Sequence, residues 1–239
     1  MEQRDVAAVW CPAQPLLGAA VASNLAAVPG APGAVVDFDR DWTETSSVLL
    51  DGPAPLAGPP GDVLGSAAKA SCGVTVVASR SFSADAARAL VDELREGGGA
   101  VLSLPAVLDA AAVAAEADTL LLIVERSFPA LRRAKLAIDR LPAARHRSLI
   151  LVIAEGQPSD LTLGDVVDVL GHPMQAHLPP GDKEVAATLE RGSLPAATGR
   201  GPWARAIRAL AADVWDTAPD MARPDRANGR LARVVEALR

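Results

Sequence analysis

Short apolar runs that alternate with amphipathic segments are the feature that most constrains the fold of this chain. Alternation of this kind is typical of βα units, which build a mainly parallel sheet. Such a sheet is buried on both faces by the connecting helices. We therefore predict an α/β fold with a parallel sheet of about seven strands and helices on both faces. The predicted strands are 6–10, 34–38, 74–78, 100–104, 119–124, 149–154 and 174–177.

The segments between these runs carry helical patterns, several of which begin at a recognisable helix start such as Ser83 or Pro129. Residues 51–65 are rich in Pro and Gly, which predicts a surface loop. The length of 239 residues and the hydrophobic content of 50% suit one substantial core. We expect one α/β domain over 1–217 and a tail over 218–239 with a short amphipathic helix. The predicted helices are 18–27, 84–96, 106–117, 129–140, 162–170, 183–190 and 202–214.

The segment between the first strand and the first helix has the position of a phosphate-binding loop but not its chemistry. A phosphate cradle needs consecutive backbone N–H groups, glycines, a lysine and a magnesium-binding hydroxyl. Pro15 has no N–H, and Leu16 and Leu17 add bulk where a polyphosphate would lie. The segment therefore offers no donor set for a triphosphate. Its residues are Ala13, Gln14, Pro15, Leu16, Leu17, Gly18, Ala19 and Ala20.

Residues 9–26 nevertheless resemble, without a gap, the V-W-S-P-K-G-G-V-G-K-T-T-L-A-A-N-L-A segment of the MinD/ParA-like P-loop ATPases of the SIMIBI class. In this alignment Gln14, Pro15 and Leu17 take the glycine positions. Ala13 and Gly18 take the two lysine positions. An ordinary strand, loop and helix start that matches by chance is the alternative.

The resemblance continues along the chain to about Trp215. Val35-Val36-Asp37-Phe38-Asp39 is similar to the family's second-strand V-x-D-x-D element, and 117–124 is similar to its A-D-x-v-l-l-V strand. The segments 165–171, 174–179 and 186–195 resemble later helix and turn motifs. Within the group the chain most resembles actinobacterial CpaE/TadZ-type proteins of tight-adherence (Flp) pilus loci. Those are MinD-like chains that help to localise pilus machinery and often have altered nucleotide motifs.

Other family positions also lack their nucleotide-binding residues. Ser103-Leu104-Pro105 stands where the resemblance implies an Asp-containing D-x-P element, and Ala154 stands where it implies an adenine-reading Asn. The resemblance therefore implies a pseudo-ATPase, with no catalytic residue and no bound cofactor. Asp37 and Asp39 are the residual candidates for chemistry. Asp182 matches the family's nucleotide-edge loop and equally suits a helix N-cap.

Two other functions stay open. One is a nucleotide-sensing ATPase that binds ATP and Mg²⁺ through an unusual loop and switches dimerisation or partitioning. The other is an enzyme with a pocket that no motif marks, because a fold does not fix a function. The histidines His146, His172 and His177 are too scattered for a ligand set, so we assign no metal site.

The expected partners are proteins, such as a pilus or secretion ATPase. Leu16 and Leu17 can provide an apolar contact in a homodimer or in a heterodimer with an active paralogue. The net charge of −6 argues against nucleic acid. Further candidates for an interaction surface are the basic pair Arg132 and Arg133 and one face of the tail helix. That face comprises Leu231, Val234, Val235 and Leu238.

The composition also indicates where the protein works. Cys11 and Cys72 are far apart and have no paired spacing, which argues against a disulfide framework. No apolar run approaches the ~20 residues of a membrane span. We therefore expect a cytoplasmic protein. Peripheral contact with the inner face of the membrane is the alternative, although the tail lacks an aromatic anchor.

Overall fold

The computed structural model describes residues 5–38, 67–70, 72–79, 83–142, 148–156, 159–199 and 201–215, and these contain one sheet of eight strands. The order across the sheet is β3-β4-β2-β5-β1-β6-β7-β8. All neighbouring pairs are parallel except β3 and β4. The strands are β1 (Val6–Trp10), β2 (Ala34–Asp37), β3 (Ala67–Lys69), β4 (Thr75–Ala78), β5 (Ala100–Leu104), β6 (Thr119–Glu125), β7 (Ser148–Ala154) and β8 (Met174–Leu178).

The predicted α/β class and the mainly parallel sheet are confirmed, but the predicted count of about seven strands is one too low. The missed strand is β3, which pairs antiparallel with β4 at the edge of the sheet. Its sequence Ala-Ala-Lys is short and only partly buried, so it has neither an apolar run nor an alternating pattern. The pairing with β4 is what makes it a strand.

The helices largely follow the predicted pattern, with α1 beginning three residues before the predicted start at 18. The single helix predicted over 106–117 is wrong, because this segment forms a 3₁₀ turn (Leu108–Ala110) and one α-helical turn. The backbone N–H of Asp118 already pairs with Val6, so the chain has entered the sheet by that point. The α-helices are α1 (Pro15–Ala26), α2 (Ala84–Gly97), α3 (Ala111–Ala114), α4 (Phe128–Arg140), α5 (Leu163–Leu170), α6 (Asp182–Arg191), α7 (Pro195–Thr198) and α8 (Pro202–Trp215).

The core consists of two apolar layers, one on each face of the sheet. Successive residues of β1 alternate between them, so Ala8 and Trp10 belong to one layer and Val9 to the other. Helices α2 to α5 cover the first layer, and α1, α6, α7 and α8 cover the second. The prediction of helices on both faces is therefore confirmed.

Asn24 joins three helices inside the second layer. Its side chain donates to Thr188 Oγ1 of α6 at 2.9 Å and accepts from the backbone N–H of Ala196 in α7 at 3.0 Å. Because Asn24 is completely buried, these bonds satisfy polar groups that would otherwise be costly to desolvate. They fix α1 against α7 and against α6, which borders the groove described below.

Among the residues described above, no helix combines the length and the apolar character needed to cross a membrane.

Candidate functional site

A groove of about 470 Å³ lies at the carboxyl edge of the sheet. The chain leaves β1 and β6 there in opposite directions, through α1 to β2 and through α4 to β7. Open α/β sheets bind ligands at such a switch point. The lining residues are Gln14, Leu16, Leu17, Glu125, Ala154, Glu155, Gly156, Leu178, Pro179, Gly181, Asp182, Val185, Ala186, Leu189, Glu190 and Trp203.

The amino end of α1 forms one wall of this groove and is apolar. Gln14 is the N-cap residue, its side chain makes no cap hydrogen bond, and Pro15 occupies the first turn without an N–H. Leu16 is 49% exposed and Leu17 is half-buried. A helix amino end of this composition presents hydrocarbon where anion-binding helices present consecutive N–H groups.

Gly18 follows in the same turn and is in tight contact with the loop before it. A Cβ at Gly18 would lie 3.1 Å from the Cβ of Cys11. Burial raises the pKa of the Cys11 thiol to about 12, so this side chain is neutral and packs as a small apolar group. Gly18 stands where the resemblance implies a lysine. In this structure it is part of a close contact between α1 and the loop.

One long-range hydrogen bond holds that loop in place, and another fixes the end of β1 directly before it. The guanidinium Nη1 of Arg133 donates to the carbonyl oxygen of Pro12 at 3.1 Å. The indole N–H of the buried Trp10 donates to the carbonyl oxygen of Pro105 at 3.0 Å. Arg133, predicted as part of an interaction surface, therefore also has a structural role.

Glu125 brings a carboxylate to the amino end of α1. The side-chain amide of Gln14 donates to Glu125 Oε2. Gly156 lies directly against the same carboxylate, since a Cβ at that position would overlap Glu125 Oε1. The amino end of a helix favours a negative charge. In this protein the negative charge near the amino end of α1 is the carboxylate of Glu125.

A second carboxylate, Glu155, is fixed at the end of β7. Its Oε2 pairs with Arg126 Nη2 at 2.8 Å, and its Oε1 lies 3.1 Å from His177 Nε2. Its backbone N–H donates to the carbonyl oxygen of Leu178 at 2.9 Å. Arg126 and His177 thus support a carboxylate that lines the groove.

The described residues that line the groove include four carboxylates and neither lysine, arginine nor histidine. The carboxylates are Glu125, Glu155, Asp182 and Glu190. Leu16, Val185 and Trp203 are among the apolar side chains between them. This combination of negative charge and hydrocarbon attracts a cationic, partly apolar ligand and repels a polyphosphate.

The structure brings some of the predicted site residues together and separates others. Leu16, Leu17 and Asp182 share the groove, with Gln14 beside them. Asp182 is the first residue of α6, and Gly181 rather than Asp182 is the N-cap. Asp37 is almost completely buried at the end of β2, where it is level with Ser103 of β5, and it does not line the groove.

Other predicted residues lie away from the groove or beyond the described ranges. Arg132 and Arg133 are on α4, which covers the other face of the sheet. Asp39 and the tail residues Leu231, Val234, Val235 and Leu238 lie outside the described residues. The roles expected for them stay predictions.

Sequence reasoning missed the groove carboxylates as a set. Glu125 is the last residue of β6 and Glu155 directly follows β7, and this position was the available signal, because the carboxyl ends of parallel strands meet at one edge. Glu125 pairs with Gln14, and Glu155 pairs with Arg126. Both pairs depend on the order of the strands, which the sequence alone does not specify.

Solved structures with the same architecture belong to the ParA and MinD proteins. A ParA family ATPase from Chlorobium tepidum TLS matches with a TM-score of 0.72 at 15% identity, over 88% of this chain and 98% of that one. The MinC:MinD cell division protein complex of Aquifex aeolicus matches with a TM-score of 0.70 at 15% identity, over 92% and 98%. MinD complexed with Mg-ADP from Pyrococcus horikoshii OT3 matches with a TM-score of 0.67 at 18% identity, over 88% and 95%.

These likenesses show that the chain has the MinD/ParA-like P-loop fold. No protein-family model matches the sequence, and no curated protein matches it.

Proposed function

We propose that this protein is a MinD/ParA-like pseudo-ATPase, a chain that keeps the fold, does not hydrolyse ATP and acts as a localisation or scaffold protein. The contact between Gln14 and Glu125 is the observation that carries the proposal. It puts a carboxylate of the chain at the helix end that would otherwise favour a phosphate.

The surroundings of that contact support the same proposal. Pro15 removes one N–H, Leu16 and Leu17 are apolar, and Gly18 has no side chain. Each lost hydrogen bond to a charged group removes about 1.5–3 kcal/mol. Several such losses, together with repulsion from the groove carboxylates, oppose binding of a triphosphate.

The alternative function is a nucleotide sensor that dimerises when it binds Mg-ATP. The fold favours this alternative only in general terms, because neighbours of this fold include MinD complexed with Mg-ADP. The acidic lining of the groove argues against it.

We propose protein partners for this chain, by analogy with MinD in the MinC:MinD complex. Leu16 lines the groove and is half-exposed, so it can take part in such a contact, either with a second copy or with an active paralogue. The assignment to tight-adherence pilus or secretion machinery, with a cytoplasmic location, depends on the resemblance to CpaE/TadZ-type proteins.

Sedimentation velocity combined with a phosphate-release assay tests this proposal. We expect the same sedimentation coefficient without nucleotide, with Mg-ADP and with Mg-ATP, and no release of phosphate above the rate without protein. A shift to a dimer only with Mg-ATP would support the nucleotide sensor instead. Sustained phosphate release would contradict the pseudo-ATPase.

A further inference from the structure

We propose that the groove is the docking site of the chain's own basic segment, residues 226–239. This inference goes beyond the proposed function, because it names an occupant for the groove and a way to control access to it.

The charges of the two surfaces are complementary. The groove is lined by Glu125, Asp182 and Glu190, and by Glu155, whose charge Arg126 offsets. Residues 226–239 contain four arginines, Arg226, Arg230, Arg233 and Arg239, and a single acidic residue, Glu236. Opposite charges of this kind favour and orient an encounter between two surfaces.

The apolar parts of the two surfaces also match. Leu231, Val234, Val235 and Leu238 have the spacing i, i+3, i+4 and i+7, which places them on one face if the segment is helical. The groove offers Leu16, Leu17, Val185, Leu189 and Trp203 between its carboxylates. An amphipathic helix laid in an apolar groove is a common mode of peptide recognition.

The intervening chain is long enough to return to the groove. Helix α8 begins beside the groove, where Trp203 lines it, and ends at Trp215, whose indole N–H donates to the carbonyl oxygen of Asp5 before β1. A helix of 14 residues is about 21 Å long at 1.5 Å per residue. Residues 216–225 can span roughly 33 Å when extended.

The other apolar patch of the described surface fits this segment less well. It lies between α4 and α5, where Phe128, Leu136 and Val169 are exposed. Arg132 and Lys135 border it together with Asp160 and Asp165. The two positive and two negative charges of this patch balance, so it offers an arginine-rich segment no net attraction.

Docking in the groove would cover Leu16 and Leu17. The same apolar side chains would then be unavailable to a partner until the tail leaves. The tail would thus act as an intramolecular competitor for the groove, and its affinity would fall as salt screens the charges.

Disulfide trapping tests the docking in the full chain. The background carries Cys72→Ser, since Cys72 is exposed and Cys11 is buried. Into it we would introduce Leu16→Cys together with Val234→Cys, Val235→Cys or Leu238→Cys, one pair at a time. In a glutathione redox buffer we expect at least one pair to form a disulfide within the monomer, at least tenfold faster than the control pair.

The control pairs replace Leu16→Cys with Val169→Cys on α5, because Leu16 and Val169 are equally exposed at 49%. Equal rates for groove and control pairs would overturn the docking. A disulfide-linked dimer as the main product would also overturn it, because the occupant would then be the tail of a second copy.

Charge variants in the same background add a second measurement. We expect Glu190→Lys to slow trapping severalfold and Arg233→Glu combined with Glu190→Lys to restore part of the rate. Asp168→Lys, an exposed site on α5, should have no effect. An equal effect of Glu190→Lys and Asp168→Lys would contradict the proposed location.

Discussion

At the residue scale, the side-chain amide of Gln14, the N-cap residue of α1, holds the Glu125 carboxylate near the amino end of that helix. The composition of the loop already predicted that phosphate donors are missing. It did not predict the replacement, because Gln14 and Glu125 are far apart in sequence and meet only through the pairing of β1 with β6. Contacts between distant residues of this kind are set by strand order, which periodicity does not reveal.

Cys11 gives a prediction at this scale that depends on pH. Burial raises the pKa of its thiol from the ordinary value of 9.0 to about 12. Ionisation therefore favours the unfolded chain above about pH 9, and the stability present below pH 9 is lost as the pH rises toward 12. We expect Cys11→Ala to reduce the loss of unfolding free energy between pH 9 and 10 by up to about 1 kcal/mol.

Urea unfolding of the wild type and of Cys11→Ala at pH 8, 9 and 10 measures this difference. Cys72→Ala is the control, because it removes an exposed thiol instead of a buried one. Parallel pH profiles for the wild type and Cys11→Ala would show that the thiol is not protected by burial.

At the element scale, the strands were predictable where they were buried and apolar. All seven predicted strands are present. Six of them are mostly buried and apolar, as expected for strands covered on both faces, whereas β8 is an edge strand that is only partly buried. The edge strand β3 was not predicted, since it depends on pairing with β4. The two short helical turns at 108–114, in place of one long helix, were not predicted either, since they depend on the early entry of Asp118 into the sheet. Local pattern thus predicts the central strands and β8, whereas tertiary contacts decide β3 and the short helical turns at 108–114.

Gly181 gives a prediction for the junction of β8 and α6. A Cβ at this position would overlap Cδ1 and Nε1 of the indole of Trp203, a large side chain that is almost completely buried. We expect Gly181→Ala to destabilise the fold by about 1–3 kcal/mol, the usual cost of overpacking. Thermal and urea unfolding measure the change.

Gly164→Ala is the matched control for Gly181→Ala. Gly164 lies in the first turn of α5, and its added Cβ would have Thr162 Oγ1 as neighbour at an ordinary 3.5 Å. We expect no loss of stability there, because alanine favours a helix more than glycine does. Equal effects of the two substitutions would mean that contact with Trp203 is not the cause.

At the scale of the whole molecule, a MinD/ParA-like fold surrounds a groove whose charge is opposite to that of a phosphate site. The fold could be predicted from the sequence, because it depends on the order of apolar runs and on flanking motifs. The character of the groove could be predicted only in part. Leu16, Leu17 and Asp182 were identified, whereas Glu190 and the supporting pair of Arg126 with Glu155 required the three-dimensional arrangement.

Isothermal titration calorimetry with Mg-ATP is the most direct test of the proposal that this chain does not bind nucleotide. The wild-type chain would be titrated to millimolar Mg-ATP, and separately with Mg-ADP, at a protein concentration that detects a Kd of about 1 mM, equivalent to about −4.1 kcal/mol. We expect only the heat of dilution in both titrations. Saturable heat with a stoichiometry near one nucleotide per chain would contradict this proposal.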